Sequence, residues 1–172
     1  MAELSTSELQ TLVSLLKKLE PGFLPQDVFT EFTRISVTAI CEVVPLRKNT
    51  EGKVEVLLLQ REEGDVYWPG KLHTPGTVIR STDEKGSMKM PFQRVLKELD
   101  NPENIPEPTF VDYLFHKNSR GSELAIIHYI HFLEEPVHGR FYSLENLPET
   151  LVQEQIPFIH MAAKIFLQDT SK

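Results

Sequence analysis

Residues 65–100 hold the side chains whose types and spacing best suit chemistry on a phosphate-containing ligand. Arg94 and Glu98 are four residues apart in a stretch of helical periodicity, so they share one helix face and could pair with each other. The Glu98 carboxylate is a ligand of the kind that Mg²⁺ prefers. Lys71 and His73 come shortly before, where a cation could face phosphate, although a lone histidine is more often structural.

A glycine turn separates Lys71 and His73 from Arg94 and Glu98. Two Pro-Gly pairs end at Gly70 and Gly76, and polar residues fill positions 80–89. Gly76 suits a tight turn, which is the commonest use of glycine. Trp68 lies just upstream and has two interpretations: its ring could stack on a nucleobase, or it could plug the core beside the sheet.

The stretch from Trp68 through Gly76 to the helix around Arg94 resembles the Nudix hydrolase family. The box of that family reads Gly, five residues, Glu, seven residues, Arg-Glu-aliphatic-any-Glu-Glu, any residue, Gly, aliphatic. In this sequence Gly76, Arg94, Leu96 and Glu98 match its glycine, arginine, aliphatic and first paired glutamate. The resemblance implies an α/β fold, a Nudix-type α/β/α sandwich with a mixed β-sheet. It also implies Mg²⁺-assisted hydrolysis of a nucleoside diphosphate linked to another group.

The box is degenerate in this sequence. Val95 and Leu99 replace two of its glutamates, and 17 residues separate Gly76 from Arg94 where the family has 13. Glu98 is therefore the one box glutamate left on the helix. A reduced metal site would need a further ligand, and Glu84 or its neighbour Asp83 in the longer loop could supply it. The alternative is that this loop is simply solvated.

Two functions from different classes follow from the resemblance. The first is a hydrolase with an eroded metal site, in which Glu98 and Arg94 act at the substrate and Glu98 with Glu84 holds a weakly bound Mg²⁺. Substrate would then contact Gly76, Lys71, His73 and Trp68. The second is a catalytically inactive Nudix-fold module that binds a nucleotide-like ligand or a protein partner in the same cleft.

The surrounding elements divide the chain into an N-terminal helical extension, residues 1–34, and a Nudix-like domain, residues 35–172. Residues 5–20 have apolar side chains at helical spacing, with a capping box predicted at Ser7 and Gln10 and a stop at Pro21-Gly22. The apolar stripe of this helix would pack on the domain or on a second copy, which makes a homodimer one expectation. The domain is predicted to contain strands over 35–44, 54–60, 110–116 and 124–133, and helices over 91–99 and 156–167.

The length and charge of the chain exclude several classes of protein. The 172 residues fit one folding unit, and 18 Lys and Arg against 25 Asp and Glu give a net charge of −7. This acidic balance argues against a general nucleic-acid partner, because phosphate neutralisation needs clustered cations. No apolar run approaches the roughly 20 residues of a membrane span. The single cysteine, Cys41, excludes an intramolecular disulfide and is expected to be a buried, inert thiol. A cytoplasmic setting is predicted.

Overall fold

A computed structural model describes residues 3–99 and 107–170 of the chain. Its N-terminal part contains two helices, α1 (Thr6–Leu16) and α2 (Gln26–Ile35). The capping box of α1 is formed by Ser5 and Glu8, not by Ser7 and Gln10 as the sequence suggested. The helix ends four residues earlier than predicted. The proline-rich stretch 101–108, for which the sequence predicts a loop, lies largely outside the described residues.

Seven strands form the sheet in the part of the domain that the structure describes. They are β1 (Val37–Lys48), β2 (Val54–Gln60), β3 (Leu72–His73), β4 (Gly76–Val78), β5 (Thr109–Lys117), β6 (Ser122–His131) and β7 (Arg140–Ser143). β1 is longer than the predicted strand because it is paired along most of its length. Its first half pairs with β4, its last residues pair with β2, and its other edge runs parallel to β6.

The strand order is β3-β2-β1-β6-β5, with β4 added beside β1 and β7 beside β2. The β1–β6 pair is parallel, and the other pairs of named strands are antiparallel, so the sheet is mixed. β4 follows β3 after two residues, which brings the turn at Gly76 next to the middle of β1. This arrangement places the box-like region at the centre of the sheet.

One helix covers each face of the sheet. α3 (Lys89–Glu98) packs on one face through Val95, beside Cys41, Val43 and Leu57. α4 (Ile156–Asp169) packs on the other face through five buried side chains at helical spacing. Pro91 stands in the first turn of α3, where proline is tolerated. None of the helices in the described ranges is long and apolar enough to span a membrane.

Candidate functional site

Three of the predicted site residues converge where β2, β3, β4 and the end of α3 meet. A cavity of about 320 Å³ opens there, and we call it the Glu98 cavity. Its lining is mostly polar and consists of Gln60, Arg61, Glu62, Gly64, Asp65, His73, Gly76 and Glu98. Three of the predicted residues, Gly76, His73 and Glu98, are therefore neighbours in space.

Glu98 lies at the end of α3 and contacts the β4 turn. The residue as a whole is exposed, but its carboxyl group is set among the atoms of the cavity wall and accepts a hydrogen bond from the Gly76 N–H. Burial of the carboxyl raises the pKa of Glu98 to about 7, against the opposing effects of the Arg61 charge and the Gly76 N–H. Near neutral pH this group therefore exchanges a proton, as a candidate acid or base must do.

Arg61 and His73 line the opposite part of the cavity. His73 is buried, and its Nδ1 lies 2.8 Å from the Thr74 carbonyl oxygen, which can only accept, so Nδ1 carries the proton. Burial, and then the Arg61 charge, lower the pKa of His73 to about 4, so the ring is neutral at pH 7. Arg61 donates to Asp65 at 2.7 Å, and its Nε–H is buried without a partner among the described residues.

Arg94 does not pair with Glu98, contrary to the interpretation of their spacing. Its guanidinium instead donates two hydrogen bonds to the Asp83 carboxylate, at 2.7 and 2.8 Å, and one to the Val78 carbonyl oxygen at 3.0 Å. These bonds lower the pKa of Asp83 to about 2. The bidentate geometry is strong and directional. Arg94 therefore ties α3 to β4 and to the loop that follows it.

The remaining predicted residues lie away from the Glu98 cavity. Glu84 is exposed and is not part of its lining, and Lys71 is exposed beside β3. Trp68 is buried, and the guanidinium carbons of Arg61 and Arg120 lie 5.1 and 5.2 Å from its ring centre. Two guanidinium groups thus approach the Trp68 ring, which packs inside the fold.

The donor set near Glu98 does not fit a magnesium ion. Mg²⁺ needs oxygen ligands in near-octahedral geometry, usually with carboxylates among them. Within residues 3–99 and 107–170, no group of three or more His, Cys, Asp or Glu side chains is placed to hold a metal. Asp83 is committed to Arg94, and Asp65 accepts hydrogen bonds from Arg61 and from two backbone N–H groups.

A buried polar network that the sequence does not predict lies behind Gly76. Glu42, in the middle of β1, is 6% exposed, and its carboxyl lies within 3.4 Å of the Thr74 hydroxyl and 3.3 Å of the Gln155 amide nitrogen. Burial raises the pKa of Glu42 to about 8, although the Arg120 charge opposes the shift. A Cβ at residue 76 would lie 2.7 Å from the Glu42 carboxylate, so a side chain there would force this carboxylate to move.

A second buried carboxylate, Glu123, lies next to this network. It accepts hydrogen bonds of 2.6 Å from both Arg120 and Asn118. His116 lies beside it, and neither nitrogen of its buried ring has a hydrogen-bond partner in the described part of the chain. In the sequence, only charged residues inside apolar strands indicate this network, as at Glu42 between Cys41 and Val43. Such residues are rarely fully buried unless they are paired.

Sequence comparison gives no relatives for this chain. No family model matches it, and no curated protein matches it by sequence. Solved structures do match. A mutT/nudix family protein from Listeria innocua has a TM-score of 0.61 at 15% identity, covering 77% of this chain and 96% of its own.

Two further structures give the same result. The NUDIX domain of Shewanella oneidensis NrtR, solved with ADP ribose, has a TM-score of 0.56 at 16% identity, covering 90% of this chain and 97% of its own. The C. elegans Ap4A hydrolase has a TM-score of 0.54 at 20% identity, covering 77% and 99%. The predicted Nudix fold, with its mixed sheet, is therefore confirmed. Similarity at this level of identity concerns the fold.

Proposed function

We propose that this chain is a non-hydrolytic Nudix-fold module that binds a nucleotide-like ligand in the Glu98 cavity. One observation carries the proposal: on α3 the single carboxylate at the cavity is Glu98, while Asp83 is held by Arg94. A carboxyl with a pKa raised to about 7 is a poor ligand for a divalent cation, and among the described residues the other acidic residues of the lining, Glu62 and Asp65, form no metal-binding group with it. The same cavity has groups that suit a bound phosphate.

Arg61 is the group best suited to an anionic ligand. A guanidinium has five donors and matches phosphate with paired hydrogen bonds. Arg61 uses one of its terminal nitrogens for Asp65, and its Nε–H is buried without a partner in the described ranges. A phosphate oxygen at this position would satisfy a donor whose burial is otherwise costly.

Glu98 would tune this binding. A protonated carboxyl donates a hydrogen bond to a phosphate oxygen, whereas a carboxylate repels it. Because burial raises the pKa of Glu98 to about 7, the group is largely neutral in slightly acidic solution and ionised above neutrality. Ligand affinity should therefore fall as the pH rises through 7.

The ligand class is supported by one structural neighbour. The NUDIX domain of Shewanella oneidensis NrtR was solved with ADP ribose, which makes ADP ribose a reasonable first probe. NrtR was also solved with a 27mer DNA, but this chain spans only 62% of that protein. The absence of a nucleic-acid partner, the cytoplasmic setting and the division at residue 34 stay predictions.

Binding and hydrolysis can be separated in one experiment. Isothermal titration with ADP ribose is carried out with millimolar Mg²⁺ and again with EDTA, and product formation is followed by chromatography. We expect binding that is independent of Mg²⁺ and no turnover. Arg61→Gln should weaken binding about 10-fold or more, because it removes a charge-assisted hydrogen bond. Arg34→Gln, at an exposed helical position, is the matched control and should bind like the wild type.

The opposite result would identify the hydrolase. Mg²⁺-dependent turnover that Glu98→Gln abolishes would show that the eroded site still works, and the proposal would be wrong. Loss of that turnover in Glu84→Gln as well would indicate that the loop supplies the second ligand. Absence of both binding and turnover with ADP ribose, nucleoside triphosphates and dinucleotides would contradict the binding module too.

A further inference from the structure

The N-terminal helix α1 has an apolar face that the described residues of the chain leave about half exposed. Leu9, Leu12 and Val13 lie on one side of the helix and are 48%, 43% and 47% exposed, and we call them the α1 stripe. No residue of α1 is buried. A helix of 11 residues is marginal in water by itself, because most helical stability in proteins comes from packing of an apolar face.

A concave apolar surface adjoins this stripe. It is a groove of about 540 Å³ between the N-terminal segment and the β4 end of the domain, and we call it the N-terminal groove. Apolar side chains make up most of its wall, among them Leu16, Leu19, Phe23, Phe29, Val78 and Ile79. Phe23 at its rim is 76% exposed. Leu16, at the end of α1, continues the line of the stripe into the groove.

We propose that the α1 stripe and the N-terminal groove form one interface with a second copy of this chain. A two-fold interface requires a surface that is complementary to itself. Here a convex apolar ridge and a concave apolar groove lie side by side on the same chain. A two-fold rotation between them seats the stripe of each copy in the groove of the other, so that both surfaces are covered at once.

The accessible surface of the chain agrees with a missing partner. The chain exposes 10902 Å², whereas a compact monomer of 19.8 kDa is expected to expose about 8,600 Å². The difference, about 2,300 Å², belongs to the chain as a whole, and the roughly 800 Å² that each partner loses in an interface of standard size fits within it. The N-terminal segment contributes to this surface with Leu4, Leu15 and Phe23, which are exposed in addition to the stripe.

A second copy explains more of the surface than other occupants do. A small apolar ligand would fill the groove but leave the stripe in water. A lipid surface would cover the stripe, but the segment from Glu3 to Glu20 has three acidic residues against Lys17 and Lys18, a poor match for anionic membranes. Arg80 lines the groove as well, so an acidic side chain of the partner would meet a cation there.

The test compares charge placed on the two faces of α1. Sedimentation equilibrium of the full chain should give twice 19.8 kDa for the wild type. Leu12→Glu in the stripe should raise the dimer dissociation constant about 100-fold or more, because an unpaired carboxylate would enter an apolar contact. Phe23→Glu in the groove should act in the same direction. Both positions are exposed in the single chain, so the fold should survive, which circular dichroism checks.

Ser14→Glu is the matched control, since it adds the same charge to the polar face of α1. It should leave the dissociation constant unchanged. A wild type that stays monomeric up to about 100 µM would overturn the proposal. So would a dimer that Leu12→Glu leaves intact, or a monomer that binds vesicles of phosphatidylcholine and phosphatidylglycerol through the stripe. None of these readouts depends on the function proposed for the Glu98 cavity.

Discussion

Beyond the end of β4, the Asp83 carboxylate accepts two hydrogen bonds from Arg94. At the start of β4, Glu42 and Glu98 approach Gly76, and neither has a cation in hydrogen-bond contact among the described residues. The pKa of Asp83 falls to about 2 because of Arg94, whereas burial raises the pKa values of Glu42 and Glu98 to about 8 and 7. Carboxyl groups of the same turn region thus favour opposite protonation states.

This difference in protonation indicates that the region from Gly76 to Glu98 has two parts with different roles. The Arg94–Asp83 pair is a permanent ion pair that fixes how α3 joins the sheet, which is a structural role. Glu42 and Glu98, in contrast, are carboxyl groups close to their neutral form, in which they can donate hydrogen bonds.

Removal of the ion pair should give the largest effect on stability. Arg94→Ala removes the guanidinium partner of the 4%-exposed Asp83 side chain, which keeps the hydrogen bond from the Arg80 N–H, and is expected to lower the free energy of unfolding by about 3 kcal/mol. Urea denaturation at pH 7 measures this. Arg34→Ala breaks the exposed pair with Glu31 and should cost under about 1 kcal/mol. Equal losses in the two variants would mean that the Arg94–Asp83 pair does not hold the turn.

Ionisation of Glu42 should make the free energy of unfolding depend on pH. The pKa of Glu42 is raised on folding, so the folded state binds the proton more tightly than the unfolded state does. Its contribution is complete below about pH 4.5 and is lost as the pH rises to about 8. The wild type should therefore lose about 2 kcal/mol or more between pH 5 and 8.

The Glu42→Gln variant tests the assignment, because an amide has no proton to lose. Its free energy of unfolding should vary less over the same pH range, with urea denaturation at several pH values as the measurement. Glu51→Gln, in the exposed turn between β1 and β2, should keep the wild-type slope. An unchanged slope in Glu42→Gln would assign the pH dependence to other groups.

The smallest effect is expected on ligand affinity. If the Glu98 carboxyl faces a phosphate, ionisation should weaken ADP ribose binding about 3- to 10-fold between pH 6 and 8, which titration calorimetry detects. Glu98→Gln should remove this dependence while it keeps the affinity measured at pH 6. Glu84→Gln, off the cavity, should retain the wild-type profile. A profile that persists in Glu98→Gln would place the titrating group elsewhere.

The fold could be predicted in its main elements, and the differences lie at their ends. α4 begins at Ile156 as the periodicity predicts, because one side of the helix is apolar throughout. β1 begins after Ser36 and reaches Lys48, since pairing with β2, β4 and β6 extends it beyond its apolar core. Such pairing is invisible to a local pattern.

The site could be predicted only where it is local in sequence. The resemblance brought Gly76 and Glu98 together, and they do contact each other. It could not find Glu42, whose bond to Gln155 joins residues 113 positions apart, nor the choice of Asp83 over Glu98 as the partner of Arg94. A helical spacing permits a pair, but the nearest carboxylate after folding decides which one forms.

The sequence by itself determined the helical and strand periodicities, the acidic charge and the count of box glutamates, because these depend on residue type and spacing alone. Only the tertiary structure decided which apolar stripe is covered: five residues of α4 are buried and none of α1. It also decided which carboxyl groups are neutral near pH 7. Burial and proximity set both, and both arise from contacts between residues that are distant along the chain.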